Sequence, residues 1–417
     1  MTNGIGISRQ YLFNGAADQP RRRNSVSFGA SVAWLLYVIV LLYIRAFLFD
    51  EDDSVYYFKV VPMMIIMFYQ LYYLLKDVDV RRFKLNLVCV YCLFIALHYL
   101  LLRSGLERLL DLSVVISCIL LYKKYPLKKK DISKLYYVFA VTVFIIILNG
   151  ATIENMADTS KFNPNVCAIF LMLLFCASLV MFANQKKIVF LIVSAVCFAL
   201  QFYFTSRGAL AGSVLFFVAF VFFKAWKRAC KVRTAFILIL SLSVLGLLVA
   251  YFYSTILFEA IGKGNVTILG KDLFTGRQRI WQLTFESIKE NLWFGVGSRV
   301  NEDTVLAEGN GIYRNSHNMA LAVLASFGLL HFILFYLLFS HLIATSGAFN
   351  TRRGKYISGA PIVFIFAITL MNYFEALFFS YWAVPMIMVA YEIICNCKPQ
   401  RRKKSYLTVS AKKVTVG

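Results

Sequence analysis

Charged side chains are scarce in this sequence. Asp, Glu, Lys and Arg together make up 16% of its 417 residues, whereas hydrophobic residues make up 60%. A soluble domain has an apolar share of about 45–50%. The composition therefore excludes an ordinary soluble domain and predicts an all-α polytopic membrane protein.

Cysteines that could form disulfides are also lacking. All nine cysteines lie in apolar runs or in segments predicted to face the cytoplasm, so no disulfide framework is expected. Cys395-Asn-Cys397 lacks the two-residue spacing of a metal-binding pair and has no histidine nearby. We therefore predict no metal site.

The most abundant feature of the sequence is the long apolar run. Runs of roughly 17–28 residues recur from end to end, and each can cross a hydrocarbon layer of about 30 Å at about 1.5 Å per residue. They predict about twelve transmembrane helices. Their positions are near 28–49, 55–75, 84–102, 105–122, 134–150, 163–184, 188–205, 208–223, 234–258, 317–345, 359–380 and 381–397.

The basic residues predict the orientation of these helices. With the amino terminus inside, about 31 Lys and Arg residues fall in cytoplasmic segments and about 13 outside. The net charge of +23 is then explained by topogenic charge beside an anionic leaflet, without nucleic acid. The first run is too long for a signal-peptide core and is read as an uncleaved helix. The predicted order is a cytoplasmic tail (1–27), helices 1–9 (28–258), an outer loop (259–316), helices 10–12 (317–397) and a basic cytoplasmic tail (398–417).

The outer loop from 259 to 316 is far longer than packing requires, and loops of that length are usually functional. Thr275 and Gln278 form a capping-box pattern, which predicts a helix from about Gly276 to Asn291. Arg277 then lies in its first turn, where backbone N–H groups and the helix dipole favour an anion. The alternative is an arginine that pairs with Glu259 or Asp272 on a solvated face. The apolar stripe of this helix is Trp281, Phe285, Ile288 and Leu292.

A few charges lie inside or at the ends of the apolar runs. Arg207 has apolar residues on both sides, so it either faces the protein interior or extends to lipid phosphates. Arg108 and Asp111 share one helix face with Glu107, and structural pairing is the favoured reading for them. Glu375 is isolated near the outer end of its run, where it could be a proton carrier, a counter-ion or a base.

Histidine is rare, with four residues in the chain. His98, His331 and His341 lie in apolar runs and are expected to be hydrogen-bonded residues of the bundle. His317 opens a run after a polar segment, at the far end of the outer loop from Arg277. Because histidine titrates near neutral pH, His317 could take a proton from a hydroxyl group, or it could be an ordinary boundary residue.

Four motifs occur in an order that resembles the O-antigen ligase and polymerase superfamily. The resemblance covers about 125 residues, and the long outer loop agrees with it. The family often has a proline before the Gly-x-Gly, where this chain has Trp293-Phe294. The motifs are Ser206-Arg207-Gly208, Gly276-Arg277 with Ile280-Trp281, Leu292 to Gly297, and His317-Asn318 with Ser326 to Leu329.

The resemblance implies a membrane-embedded glycosyltransferase that needs no cofactor and no metal. Its donor would be an undecaprenyl-pyrophosphate-linked oligosaccharide, and its other partners an acceptor glycolipid, membrane lipids and a chain-length regulator. Arg207 and Arg277 would hold the pyrophosphate, and His317 would activate or orient the acceptor hydroxyl. Second-rank candidates are Arg279, Arg314, Asp111 and Glu375. The implied location is the bacterial inner membrane, with both termini cytoplasmic.

The superfamily includes polymerases and ligases, which share the donor and differ in the acceptor. The blocks around Arg277 and His317 resemble the polymerases more, so a polysaccharide polymerase is favoured over a ligase. The sequence has no outward Asp-x-Asp, and Asp52-Asp53 belongs to a short loop, so arginine rather than a divalent metal is expected to meet the leaving-group charge. A transporter would show internal repeats and interrupted spans, which the sequence does not suggest.

Overall fold

The computed structural model describes residues 25–47, 53–76, 87–102, 106–154, 164–204, 206–257, 267–268, 271–272, 277–297, 317–346 and 356–397. Residues 1–24 and 398–417 of the predicted tails, Arg314, Thr275 and Asp52 lie outside these ranges, and residues 25–27 belong to the first helix. The helices are α1 (Ser25–Phe47), α2 (Asp53–Leu75), α3 (Leu87–Leu102), α4 (Leu106–Lys124), α5 (Lys129–Glu154), α6 (Pro164–Gln185), α7 (Ile188–Tyr203), α8 (Arg207–Val221), α9 (Val232–Phe252), α10 (Arg277–Glu290), α11 (Met319–Ser346), α12 (Gly359–Asn372) and α13 (Ala383–Asn396).

Each of the twelve predicted apolar runs coincides with one of these helices, and the helix predicted in the outer loop is α10. Among the described residues, four helical segments are long and apolar enough to cross a membrane: Lys129–Leu148, Asn165–Gln185, Val232–Thr255 and Met319–Ser346. The all-α, membrane-type fold is therefore confirmed. The count of twelve spans and the orientation of the chain stay predictions.

The core of the bundle is α6, which packs against α5, α7, α8 and α13. In its apolar segment, 94% of the residues are buried inside the protein. Pro164 opens α6 at the first helical position, where its missing N–H removes no helix hydrogen bond. By contrast, α2 and α3 expose Ile65, Phe68, Leu97 and Leu100, as expected of helices that face lipid.

A short antiparallel ribbon joins the start of α9 to the start of α12. Strands β1 (Ala229–Lys231) and β4 (Tyr356–Ser358) pair with Cys230 opposite Ile357. The N–H of Gly359 also donates to the carbonyl of Arg228 at 3.0 Å. We call this end of the bundle the ribbon end. A second ribbon, β2 (Thr267–Ile268) with β3 (Lys271–Asp272), lies in the predicted outer loop.

The predicted run 317–345 is helical, but the helix is not continuous. It breaks at Gly328 of α11, where φ is 74° and ψ is 179°. An interrupted apolar helix therefore does occur, contrary to the impression from the sequence. The run 359–380 also ends early, since α12 stops at Asn372. A turn and a 3-10 helix (Leu377–Phe379) follow before α13 begins.

The break in α11 is filled by the turn that follows α10. The N–H of Val296 donates to the carbonyl of Ala325 at 3.0 Å, and that of Leu329 donates to the carbonyl of Leu292 at 2.8 Å. A Cβ on Gly328 would lie 2.3 Å from the Trp293 carbonyl carbon, so only glycine fits there. Two of the sequence motifs, Leu292 to Gly297 and Ser326 to Leu329, thus form one structural unit, which we call the glycine clasp.

Candidate active site

The His317-Asn318 motif begins α11 and fixes it to two neighbouring segments. Asn318 is fully buried, and its Oδ1 accepts the N–H of Leu321 at 3.0 Å, which makes it the N-cap. Its Nδ2 donates to the carbonyls of Gly246 on α9 at 3.1 Å and of Tyr373 at 3.3 Å. His317 precedes this cap with φ of 50°, in the left-handed region that non-glycine residues rarely adopt. The buried asparagine therefore fixes the backbone that presents the histidine.

Glu375 lies on the turn between α12 and α13, and this turn is shaped by another asparagine. The Oδ1 of Asn372 accepts the N–H of Leu377 at 3.1 Å, while the N–H of Glu375 donates to the carbonyl of Met371 at 2.9 Å. The chain is thus held in a tight loop with the carboxylate at its tip. The sequence carries a signal for this turn in Asn372, because asparagine side chains readily bond to nearby backbone.

Glu375 bridges the two residues that the sequence had placed at opposite ends of the outer loop. Its Oε1 accepts a hydrogen bond from Nη2 of Arg277 at 3.0 Å, and its Oε2 lies 3.0 Å from Nδ1 of His317. The side chains of Arg277, Glu375 and His317 are 14%, 25% and 38% exposed. Arg277 therefore pairs with Glu375. The alternative interpretation of the sequence had proposed Glu259 or Asp272 as its partner.

Arg207 stands at the same level of the bundle as Glu375. Gly212 on α8 packs against Met371 on α12, since a Cβ there would lie 3.2 Å from the Met371 side chain. Arg207 lies five residues before that contact, about 7 Å along α8, and Glu375 lies on the turn that follows Met371 at the same end of the bundle. Burial lowers the pKa of the Arg277 guanidinium; Glu375 opposes this shift and the positive charge of Arg207 adds to it. Arg207 and Arg277 are therefore close enough to repel each other.

Three helices begin at this site: α8 at Arg207, α10 at Arg277 and α11 after Asn318. Each helix start carries the positive end of a helix dipole. Together with two guanidiniums, they create a strongly positive local field against one carboxylate. This arrangement favours an anionic ligand that can bridge Arg207 and Arg277. Among the described residues, no group of three or more His, Cys, Asp or Glu side chains is arranged to hold a metal ion.

The site lies below the end of α9, and we call the space around Arg277, Glu375 and His317 the recess. Asn318 bonds to Gly246, whereas α9 continues for six more residues to Phe252, which adds about 9 Å. The helix α10 packs over the end of α9, where Gln282 donates to the carbonyl of Ser254 at 2.8 Å and Trp281 contacts Tyr253. Arg277 is thus delivered into the recess by a docked helix.

Arg108 lies on the other side of the turn that carries Glu375. Its guanidinium donates to the Oγ of Ser326 in the glycine clasp and lies 5.3 Å from the centre of the Phe379 ring. Asp111, one turn further along α4, is 3% exposed. Arg108 thus packs between the glycine clasp and the segment after Glu375, whereas the pairing of Glu107, Arg108 and Asp111 and a role of Asp111 in the site stay predictions.

The other histidines have mixed surroundings. Nε2 of His98 lies 2.9 Å from the carbonyl of Phe294 and so holds the glycine clasp. His331 is buried among aromatic rings, 3.5 Å from the hydroxyl of Tyr91. His341 is exposed at the ribbon end of α11, near Lys123, and its role as a hydrogen-bonded residue of the bundle stays a prediction. Arg279 lies in α10, but its side chain is outside the described part of the structure.

The fold defines a helical bundle of membrane type, in which Arg277, Glu375 and His317 come together. Residues 202–336 match the family model described as O-antigen ligase. This confirms the resemblance to the O-antigen ligase and polymerase superfamily and supports a multi-pass protein of the inner membrane with a function of that general type. The matched segment contains Arg207, Arg277 and His317, whereas Glu375 lies beyond it. No curated protein matches the chain.

Proposed function

We propose that this protein is a polysaccharide polymerase of the O-antigen or capsule type. It transfers a glycan from undecaprenyl pyrophosphate to a hydroxyl of an acceptor lipid-linked repeat unit. The observation that carries the proposal is the convergence of Arg277 and His317 on the two oxygens of Glu375. The family match over residues 202–336 supports the same general function.

In this proposal Arg207 and Arg277 bind the donor pyrophosphate. Guanidinium groups form planar, paired hydrogen bonds with phosphate oxygens and stay protonated at neutral pH. Negative charge grows on the pyrophosphate as its bond to the sugar breaks. Cations and helix starts fixed beside that oxygen stabilise the transition state more than the ground state. No metal ion is required in this proposal.

His317 is the proposed base for the acceptor. With Nδ1–H donating to Glu375, the neutral imidazole carries its lone pair on Nε2. The acceptor oxygen attacks the anomeric carbon, its proton passes to Nε2, and the bond from that carbon to the pyrophosphate oxygen breaks with its electron pair on the pyrophosphate. Glu375 orients the ring and stabilises the imidazolium, as carboxylates do in other base-and-carboxylate pairs.

The predicted topology places this chemistry on the outer face of the inner membrane. The site lies at the opposite end of α8 and α12 from the ribbon end, and basic residues cluster near the ribbon end, at Lys224, Lys227 and Lys231. Since basic segments stay in the cytoplasm, the recess faces outward and both termini face inward. A chain-length regulator is a proposed partner at this face.

A ligase that passes the glycan to lipid A-core is the second candidate, because the matching family model carries that description. The donor site would be the same and the acceptor would differ. The surface polysaccharide of a strain lacking this protein separates the two. A single repeat unit on core indicates a polymerase, and unmodified core indicates a ligase.

The site assignment is tested by His317→Ala, Arg207→Ala and Arg277→Ala in that strain. Each variant should reach the membrane at the normal level and leave only single-repeat glycan, or unmodified core for a ligase. Lys289→Ala, at the far end of α10, serves as the matched control and should restore polymer. Full-length polymer from all three site variants would contradict the assignment.

A further inference from the structure

The turn that follows α10 exposes three consecutive apolar side chains. Leu292, Trp293 and Phe294 are 38%, 57% and 49% exposed. We call these three residues the clasp tip, since they belong to the glycine clasp. Adjacent large apolar side chains at a protein surface mark a place where another apolar surface is bound. The clasp tip therefore calls for a partner.

The backbone of the clasp tip is held by two neighbouring helices. The carbonyl of Leu292 accepts the N–H of Leu329 on α11 at 2.8 Å, and the carbonyl of Phe294 lies 2.9 Å from Nε2 of His98 on α3. A segment that contacts lipid needs protein partners for its backbone polar groups, because hydrocarbon offers none. These two carbonyls have such partners, so the turn is suited to a lipid contact.

The second half of α11 places the clasp tip at a membrane boundary. After the break at Gly328, the helix continues to Ser346, which corresponds to about 27 Å. This length is close to the hydrocarbon thickness of about 30 Å. The far end of this half lies at the ribbon end, where Ala344 packs against Ile357. The break, and the clasp tip that fills it, therefore lie at the opposite boundary.

The helix α3 indicates the same level independently. It runs antiparallel to the second half of α11, since Tyr91 contacts Phe335 and His98 contacts Phe327. His98 is four residues, or about 6 Å, from the end of α3. Beyond it, Leu101 is 64% exposed, as expected of a side chain that faces lipid. Lipid therefore reaches at least to the level of the clasp tip.

The sequence changes from charged to apolar just before the clasp tip. Glu286, Lys289 and Glu290 are exposed on the last turns of α10, whereas the segment 291–297 contains no charged residue. Tryptophan is enriched where a membrane meets water, because its ring is apolar and its N–H is polar. The surface of α10 therefore faces water up to Glu290, and the clasp tip faces lipid.

We propose that the clasp tip inserts into the bilayer beside α3 and contacts the acyl chains of the outer leaflet. The loop predicted over 259–316 is then not wholly outside the membrane, because the clasp tip lies at the hydrocarbon boundary. Insertion fixes one end of α10 relative to the membrane, and Arg277 lies at the other end of the same helix. The proposal does not depend on glycan transfer.

Fluorescence quenching by brominated lipids tests this insertion. Full-length wild type and Trp293→Phe are placed in phosphatidylglycerol vesicles, and the difference between their spectra reports Trp293 alone. We expect lipids brominated near the head-group end of the acyl chain to quench this component at least about twofold more than lipids brominated near the chain terminus. Iodide present on both sides of the membrane should quench it little.

Trp281 on the same helix is the matched control, since its side chain is fully buried. The fluorescence component that Trp281→Phe removes should be insensitive to both brominated lipids and to iodide. Phenylalanine keeps an aromatic ring at each position, and Trp293 is exposed, so its replacement leaves the packing of the bundle unchanged.

Three results would overturn the proposal. Quenching of the Trp293 component by iodide and not by brominated lipid would place the clasp tip in water. Quenching by neither would mean that protein covers it, such as a second copy of this chain. Stronger quenching by the terminal bromines would contradict the boundary position. Because no substrate is present, failure of the proposed glycan transfer would leave the quenching unaffected.

Discussion

His317 and Glu375 face each other across the recess, with Nδ1 of the imidazole 3.0 Å from Oε2 of the carboxylate. The other carboxylate oxygen holds Arg277 at the same distance. One side chain thus connects the proposed acceptor base to a proposed donor-binding cation. Binding of an anionic donor to Arg277 would weaken its bond to Glu375 and leave the carboxylate to His317, which links donor binding to base activation.

Replacement of Glu375 by Gln should lower the rate of glycan transfer by about 10²-fold, because the imidazolium loses its counter-charge. Glu375→Asp keeps the charge but shortens the side chain, so it should retain more activity than Gln. Initial rates on membranes with equal amounts of protein provide the measurement. Equal rates for wild type and Glu375→Gln would show that the carboxylate is only structural.

Replacement of Arg277 by Lys should raise the KM for the lipid-linked donor by about tenfold or more, because a lysine keeps the charge and loses the paired hydrogen bonds. The effect of Arg207→Lys should be similar. Donor titrations at fixed acceptor concentration measure both. An unchanged donor KM in both variants would remove the two arginines from the donor site.

Replacement of Asn318 by Ala should destabilise the protein by about 2 kcal/mol or more, since it removes an N-cap and the two buried hydrogen bonds that Nδ2 donates. Asn318→Asp keeps the cap acceptor but still lacks the donor group, so it should also be destabilised. Thermal unfolding in detergent measures the loss. Wild-type stability for both variants would contradict the described role of the side chain.

Replacement of Gly328 by Ala should prevent closure of the glycine clasp, because the new Cβ would meet the Trp293 backbone and the residue has positive φ. We expect a loss of at least about 3 kcal/mol or a sharp fall in folded protein. Gly29→Ala is the matched control, since its Cβ would meet only the Tyr69 hydroxyl at 3.6 Å. Similar yields of folded protein for the two variants would show that the clasp tolerates rearrangement.

The apolar runs predicted the helices well, because length and hydropathy are local properties of the chain. They did not predict the break at Gly328. That break depends on contact with the turn after α10, and Gly297 at the end of this turn is 31 residues before Gly328 in the chain. Arg207, Arg277 and His317 were found by motif order. Glu375 was noticed only as an isolated charge, because its partners lie 98 and 58 residues away along the chain. Asn318 entered only as part of the His317-Asn318 motif and Asn372 was not singled out, although both position the site.

The central claim is that His317 and Glu375 act as one unit in glycan transfer, and a double-mutant cycle tests it most directly. Transfer rates are measured for His317→Ala, Glu375→Gln and the double variant, with protein levels matched. We predict that the double variant is no slower than His317→Ala alone, because Glu375 acts through the imidazole. A double variant whose loss equals the product of the two single losses would show that the residues act independently and would contradict the account.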